Sequence, residues 1–155
     1  MEGLRISRAT TGDIAPVQEI ARETLRKTAS VFLGEETVAG FIESGQSDAE
    51  ISDHFSNLYV ARLNGRIVGF VIYWEGSIHL MMVDAKLHRA GVGTAILQWC
   101  ETQMRVEGHD RAQLQTFVGN AQAIGFYLRN GWTESHRDGP EAGDFAKATF
   151  AKSLT

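Results

Sequence analysis

The chain has 155 residues, of which 43% are hydrophobic and only two are proline, and its formal net charge is -4. That length suits one domain with a continuous core, and the composition excludes disorder, fibrous repeats and a general attraction to nucleic acid or acidic lipid. The single cysteine, Cys100, excludes an internal disulfide and a thiolate zinc site.

No run reaches the roughly 20 apolar residues of a membrane span, and the opening MEGLRISRAT lacks the apolar segment of a secretory signal. One cytoplasmic domain over residues 1–155 is expected. In chain order, LRISRAT at 4–10 alternates Leu4, Ile6 and Arg8 as a short strand. Thr10 and Asp13 then stand at capping-box spacing before Ile14, Val17, Ile20 and Ala21, with Pro16 tolerated in the first helical turn. A second helix is predicted over 35–44, with Val38, Phe41 and Ile42 as its apolar side, and the polar GQSDAEISD at 45–53 reads as a loop.

NLYVARL and RIVGFVIYW, joined by Asn64-Gly65, predict a tight antiparallel hairpin. After Glu75-Gly76, SIHLMMV is a further strand; unless a bulge changes the phase, His79, Met81 and Val83 share one face and Ile78, Leu80 and Met82 the other. A helix over 91–106 turns Val92, Ala95, Ile96, Trp99 and Cys100 inward and Gln98, Glu101, Thr102 and Arg105 to water, with Gly108 as terminator. A strand over 112–118 follows, then a short helix capped by Asn120 and ended by Gly131, an extended region from Trp132, the polar ESHRDGPEAGD and a final strand in FAKATFA. The order implies an α/β fold: one mixed, mostly antiparallel twisted sheet flanked by helices.

The most informative segment is His88-Arg89-Ala90-Gly91-Val92-Gly93-Thr94, between a strand and a helix. Gly91 and Gly93 let the main chain approach a ligand closely, helix-terminal amides can bind a pyrophosphate, and Arg89 adds positive charge. A crowded turn that merely needs glycine would give the same pattern. The lysine of a nucleotide-binding P-loop and the full dinucleotide fingerprint are both missing.

Val83 through Thr94 resembles the acyl-CoA-binding motif of the GCN5-related N-acetyltransferase (GNAT) superfamily, with Gly91 and Gly93 in register and His88 where Gln or Arg is usual. Asn120, Ala123, Phe126-Tyr127 and Gly131-Trp132 resemble that family's late segment. The resemblance implies acetyl-CoA as acetyl donor, with Met82 and Val83 on the pantetheine arm and residues 89–94, including Ala90 and Val92, on the pyrophosphate. It also implies cofactor contact by Asn120, although helix capping explains that residue equally well, and a general-acid and thiol contact for Tyr127.

An attacking amine must be neutral, so its proton needs an acceptor. His79, on the central strand, is the first candidate base and Glu75 the reserve; a structural histidine and a plain turn carboxylate are the alternatives. His54, His109 and His136 read as loop surface, and no metal-ligand spacing is present. By the family's topology Phe32, Glu35, Tyr73 and Trp74 are candidate walls of the acceptor pocket. The expected activity is acetyl transfer to a primary amine in a ternary complex, the alternative a noncatalytic acyl-CoA-binding or regulatory module. An amine-bearing small molecule or peptide is the expected partner, a homodimer is left open, and neither nucleic acid nor membrane is expected.

Overall fold

A computed structural model describes all 155 residues. Its strands are β1 (Leu4–Arg8), β2 (Leu58–Leu63), β3 (Arg66–Trp74), β4 (Ser77–Val83), β5 (Arg111–Phe117), β6 (Thr133–Arg137) and β7 (Lys147–Ser153). Its helices are α1 (Ile14–Thr24), α2 (Ser30–Leu33), α3 (Glu35–Glu43), α4 (Gln46–Asp53), α5 (Val92–Val106) and α6 (Ala121–Arg129). One seven-stranded sheet runs β1-β2-β3-β4-β5-β7-β6, antiparallel except where β4 meets β5. The mixed α/β architecture expected from the pattern is therefore present.

Both faces of this sheet are covered. Val17, Ile20 and Ala21 of α1 and Ile51 of α4 pack with Leu58, Val60, Phe70 and Ile72 on one side. Val92, Ile96, Leu97, Cys100 and Met104 of α5 pack with Val71, Ala112, Leu114, Ala148 and Phe150 on the other. Asn64 and Gly65, with φ of 53° and 86°, form the expected tight turn between β2 and β3.

Three local readings are corrected. Residues 45–53 do not form a loop: Gly45, left-handed at φ 86°, breaks the chain between α3 and a new helix, α4. Few residues of α4 are apolar, so periodicity does not reveal it. Fully buried Ile51, the Arg22–Asp48 ion pair at 2.5 Å and the Gln18 amide donating to Asp48 O at 3.1 Å hold it against α1. Glu101 does not face water; it is 4% exposed, accepts from Trp132 Nε1 at 3.3 Å and pairs with Lys152 Nζ at 2.8 Å. The polar stretch after Trp132 begins as β6, an exposed edge strand on β7.

The helix start at Asp13 is legible and tight. Its carboxylate accepts from Thr10 N at 2.8 Å and from the Arg62 guanidinium, tying the entry to α1 to strand β2. Burial alone would push this carboxyl up, but the Thr10 amide and Arg62 outweigh it and hold it below the usual aspartate value. A depressed folded-state pKa gives stability that is complete above the unfolded value and is lost as pH falls through the folded one. In urea titrations at a series of acid pH values, Asp13→Asn will be less stable than wild type at neutral pH and will lack this component of the acid decline.

Candidate active site

Strands β4 and β5 pair over only Ser77 with Gln113 and Ile78 with Leu114. Beyond those pairs β4 stays on β3 as far as Val83, and β5 stays on β7 as far as Phe117. The two central strands thus diverge, and a cleft of about 960 Å³ opens beside the free end of β4, with Met81–Val83 and the loop before α5 on one side and α6 on the other. Main-chain groups on diverging inner edges suit an extended amide-bearing chain, which can bond there as an added strand would.

The floor of the cleft ends at the start of α5. Gly91 sits in left-handed conformation at φ 88°, and the first helical bond runs from Ala95 N to Gly91 O at 3.1 Å. The amides of Gly91, Val92, Gly93 and Thr94 therefore have no main-chain acceptor and gather at the positive end of a 15-residue helix. A Cβ on Gly93 would lie 3.3 Å from the Phe126 ring, so a side chain there would push into the opposite wall.

His88 explains how this loop dispenses with the usual Gln or Arg. Its Nε2 donates to Val83 O at 3.1 Å, and its Nδ1 accepts from Gln122 Nε2 at 3.3 Å. The imidazole thereby ties the end of β4 to α6 across the cleft mouth. Met82, Val83, His88, Arg89, Gly91, Gly93 and Thr94 line the cleft, as expected. Ala90 and Val92 do not; Val92 is fully buried in the core beneath the loop and offers only its amide.

The opposite wall is α6. Asn120 Oδ1 accepts from Ala123 N at 3.1 Å, so the residue caps the helix while lining the cleft. Tyr127 also lines the cleft, its ring packed on Phe126, Trp132 and Phe150. Burial, and then the neighbouring Cys100, push its phenol well above the usual range, so it stays protonated at neutral pH. Sequence reasoning missed Thr24 and Thr28, which line the cleft where α1 widens into a π-turn over Leu25–Ala29.

On β4 a bulge changes the phase. Ile72 pairs with Leu80 but Tyr73 pairs with Ile78, leaving His79 as the extra residue. Ile78, not His79, therefore shares a face with Met81 and Val83, and His79 turns with Leu80 and Met82 toward the α1/α4 side. There its Nε2 donates to Glu50 Oε1, and its ring meets His54 at 4.5 Å and Trp74 at 4.9 Å between centroids. His54 is not loop surface: it ends α4, stacks on Trp74 at an interplanar angle of 4° and donates from Nδ1 to Glu50 O at 2.8 Å. No sequence spacing joins Glu50 to His79, which is why Glu50 went unseen.

The other candidates separate. Glu75 lies exposed in the β3–β4 turn with φ 49°, at the end of β4 away from the cleft, and is not brought to it. Tyr73 faces the α5 side, buried, with its hydroxyl donating to Glu107 at 3.0 Å, so it forms no wall toward His79. Phe32 packs on Phe117 at 5.7 Å and against Gly119, beside Asn120. Glu35 is exposed in the first turn of α3.

A divergent central strand pair with a glycine-opened helix start at its mouth is the arrangement of an acyltransferase. The chain belongs to the acetyltransferase (GNAT) family, whose sequence pattern matches residues 16–132. It is 27% identical over 140 residues to the aminoalkylphosphonate N-acetyltransferase of Salmonella typhimurium, covering 80% of this chain and 90% of that one. It is 26% identical over 134 residues to the uncharacterised N-acetyltransferase MJ1530 of Methanocaldococcus jannaschii, covering 83% and 78%. Its fold matches the PaiA N-acetyltransferase of Thermoplasma acidophilum, solved in complex with coenzyme A, with a TM-score of 0.83 at 17% identity over 97% of this chain and 98% of that one. No helix is long and apolar enough to cross a membrane.

Acetyl-CoA is the acetyl donor of this family, and the residues present fit it. The unpartnered amides of 91–94 and Arg89 suit a pyrophosphate, and the open edge of β4 suits the amides of a pantetheine arm. His88→Ala cuts the brace between Val83 and Gln122, and calorimetry with acetyl-CoA will show affinity reduced by about tenfold, the worth of one or two charge-free hydrogen bonds. Circular dichroism will show the variant folded.

Proposed function

We propose that this protein transfers the acetyl group of acetyl-CoA to a primary amine by direct attack, without an acyl-enzyme. The observation that carries the reading is that Tyr127 lines the cleft and that His79, paired with Glu50 of α4, stands on the bulged strand whose far end, Met81–Val83, lines the same cleft. Acetyl-CoA supplies the activated acetyl group as a thioester. The chain supplies the proton acceptor, the proton donor and the alignment.

An ionised carboxylate only accepts hydrogen bonds, so Glu50 fixes the proton of His79 on Nε2 and leaves the lone pair on Nδ1. That nitrogen takes the proton of the acceptor amine. A main-chain amide on the open edge of β4 donates to the carbonyl oxygen as charge builds on it. Tyr127, kept neutral by burial, donates to the departing sulfur. Cys100 supports the direct route: it is fully buried, and burial followed by Glu101 and Glu107 pushes its thiol up, so it makes no useful thiolate.

Glu75, exposed in its turn, has no part in this scheme. Phe32 and Trp74 remain the proposed walls on the acceptor side. A small amine is the proposed acceptor class, and the aminoalkylphosphonates named for the Salmonella relative belong in the first panel tried.

Labelled acetyl-CoA and a panel of amines and peptides will identify an acceptor. His79→Ala and Tyr127→Phe will then each lower kcat by about 100-fold or more while changing acetyl-CoA affinity little, as expected for lost proton transfer. Tight acetyl-CoA binding without turnover on any amine would favour a noncatalytic binding module, and a stable acetyl-Cys100 species would reject direct transfer.

A further inference from the structure

Glu50, His54 and His79 come from two rigid elements, α4 and β4, and each offers a ligand atom within 4.8 Å of the other two. Two imidazoles and a carboxylate are the donor set of a zinc site that keeps open positions for water. Glu50 and His54 stand one helical turn apart on the same face. The His54 ring is already held: Nδ1–H goes to the main-chain carbonyl of Glu50 at 2.8 Å, which leaves the lone pair on Nε2. Such a bond from the second ring nitrogen to a carbonyl is what orients histidine ligands in metal sites. Trp74, stacked on His54 and packed on His79, walls one side with apolar surface, while the three ligands stay about one-third exposed and open to solvent.

We infer that Glu50, His54 and His79 bind a divalent transition-metal ion of the zinc class. The site goes beyond acetyl transfer and does not depend on His79 being the base. The ion takes the place of the proton between His79 Nε2 and Glu50 Oε1, and the ring proton moves to Nδ1. The nitrogen assigned above to the acceptor amine then has no lone pair. Metal and proton transfer are thus alternative uses of one imidazole, and zinc acts as an inhibitor. Mg²⁺, which prefers oxygen ligands, is not held by this donor set.

The test is calorimetric titration of the full chain with Zn²⁺ and, separately, Mg²⁺, repeated on Glu50→Gln, His54→Ala and His79→Ala, with circular dichroism to establish that each is folded. The expected result is one Zn²⁺ per chain, no Mg²⁺ binding, and affinity reduced about tenfold or more in every variant. Zinc binding that is unchanged in folded His54→Ala and Glu50→Gln, absent in wild type, or matched by Mg²⁺ would overturn the site. Co²⁺ absorption gives a second readout: a tetrahedral ligand-field band in wild type that is lost in His54→Ala supports the site, and its absence counts against it. Once an acceptor is known, inhibition by Zn²⁺ with a midpoint at the binding constant supports both assignments. Variant-sensitive binding with undiminished turnover supports the metal site and removes His79 as base.

Discussion

The structure depends on one interruption of hydrogen bonding. Strands β4 and β5 share only the pairs at Ser77 and Ile78, yet each remains fully partnered on its other side. A sheet can diverge in this way only if the outer ladders carry the stability that the centre gives up. The antiparallel pairings of β3 with β4 and of β5 with β7 do so, and helices on both faces fill the space above and below. The inner edges are then left with main-chain groups that require a partner, and an extended ligand can meet that requirement.

Everything at the mouth of the opening serves to hold it at one width. The loop before α5 turns on Gly91, its base is anchored by buried Val92, and His88 spans from Val83 to Gln122. Asn120 fixes the start of α6 through its own side chain, so the two walls face each other by local bonding as much as by packing. Charge is arranged to match, with free helix amides and Arg89 at the outer end and neutral, buried Tyr127 further in. The bulge at His79 does the complementary work on the other face, directing an imidazole to α4 that regular alternation would have buried with Met81 and Val83.

Much of this was legible because it is written in short-range chemistry. Glycines at 91 and 93, Asn120 three residues before its target amide, Asn64-Gly65 at a turn and Thr10 before Asp13 each act within a few residues. What escaped acts at a distance. The polar helix α4 is stabilised by α1 and Ile51 rather than by its own pattern, so the sequence offered a loop, and with it went Glu50 and the true setting of His54. Glu101 lies on the polar side of its helix by spacing but is claimed by Lys152 of β7 and by Trp132 just before β6, both far along the chain. The phase of β4 depended on a one-residue insertion relative to β3, which neither strand announces.

The position of β7 has a consequence for how the molecule is made. In the sheet it lies between β5 and β6, although it is the last of the seven strands in the chain. During vectorial synthesis β1 to β4 can pair as they emerge, each beside a strand already present. Strand β5 cannot; its only long ladder is with residues 147–153. Strand β5 therefore waits, with an open edge, for some thirty further residues to leave the ribosome, about two to six seconds at ordinary elongation rates. The nascent chain is most exposed to mispairing in that interval, and the half of the sheet built on β7 is necessarily the half completed last.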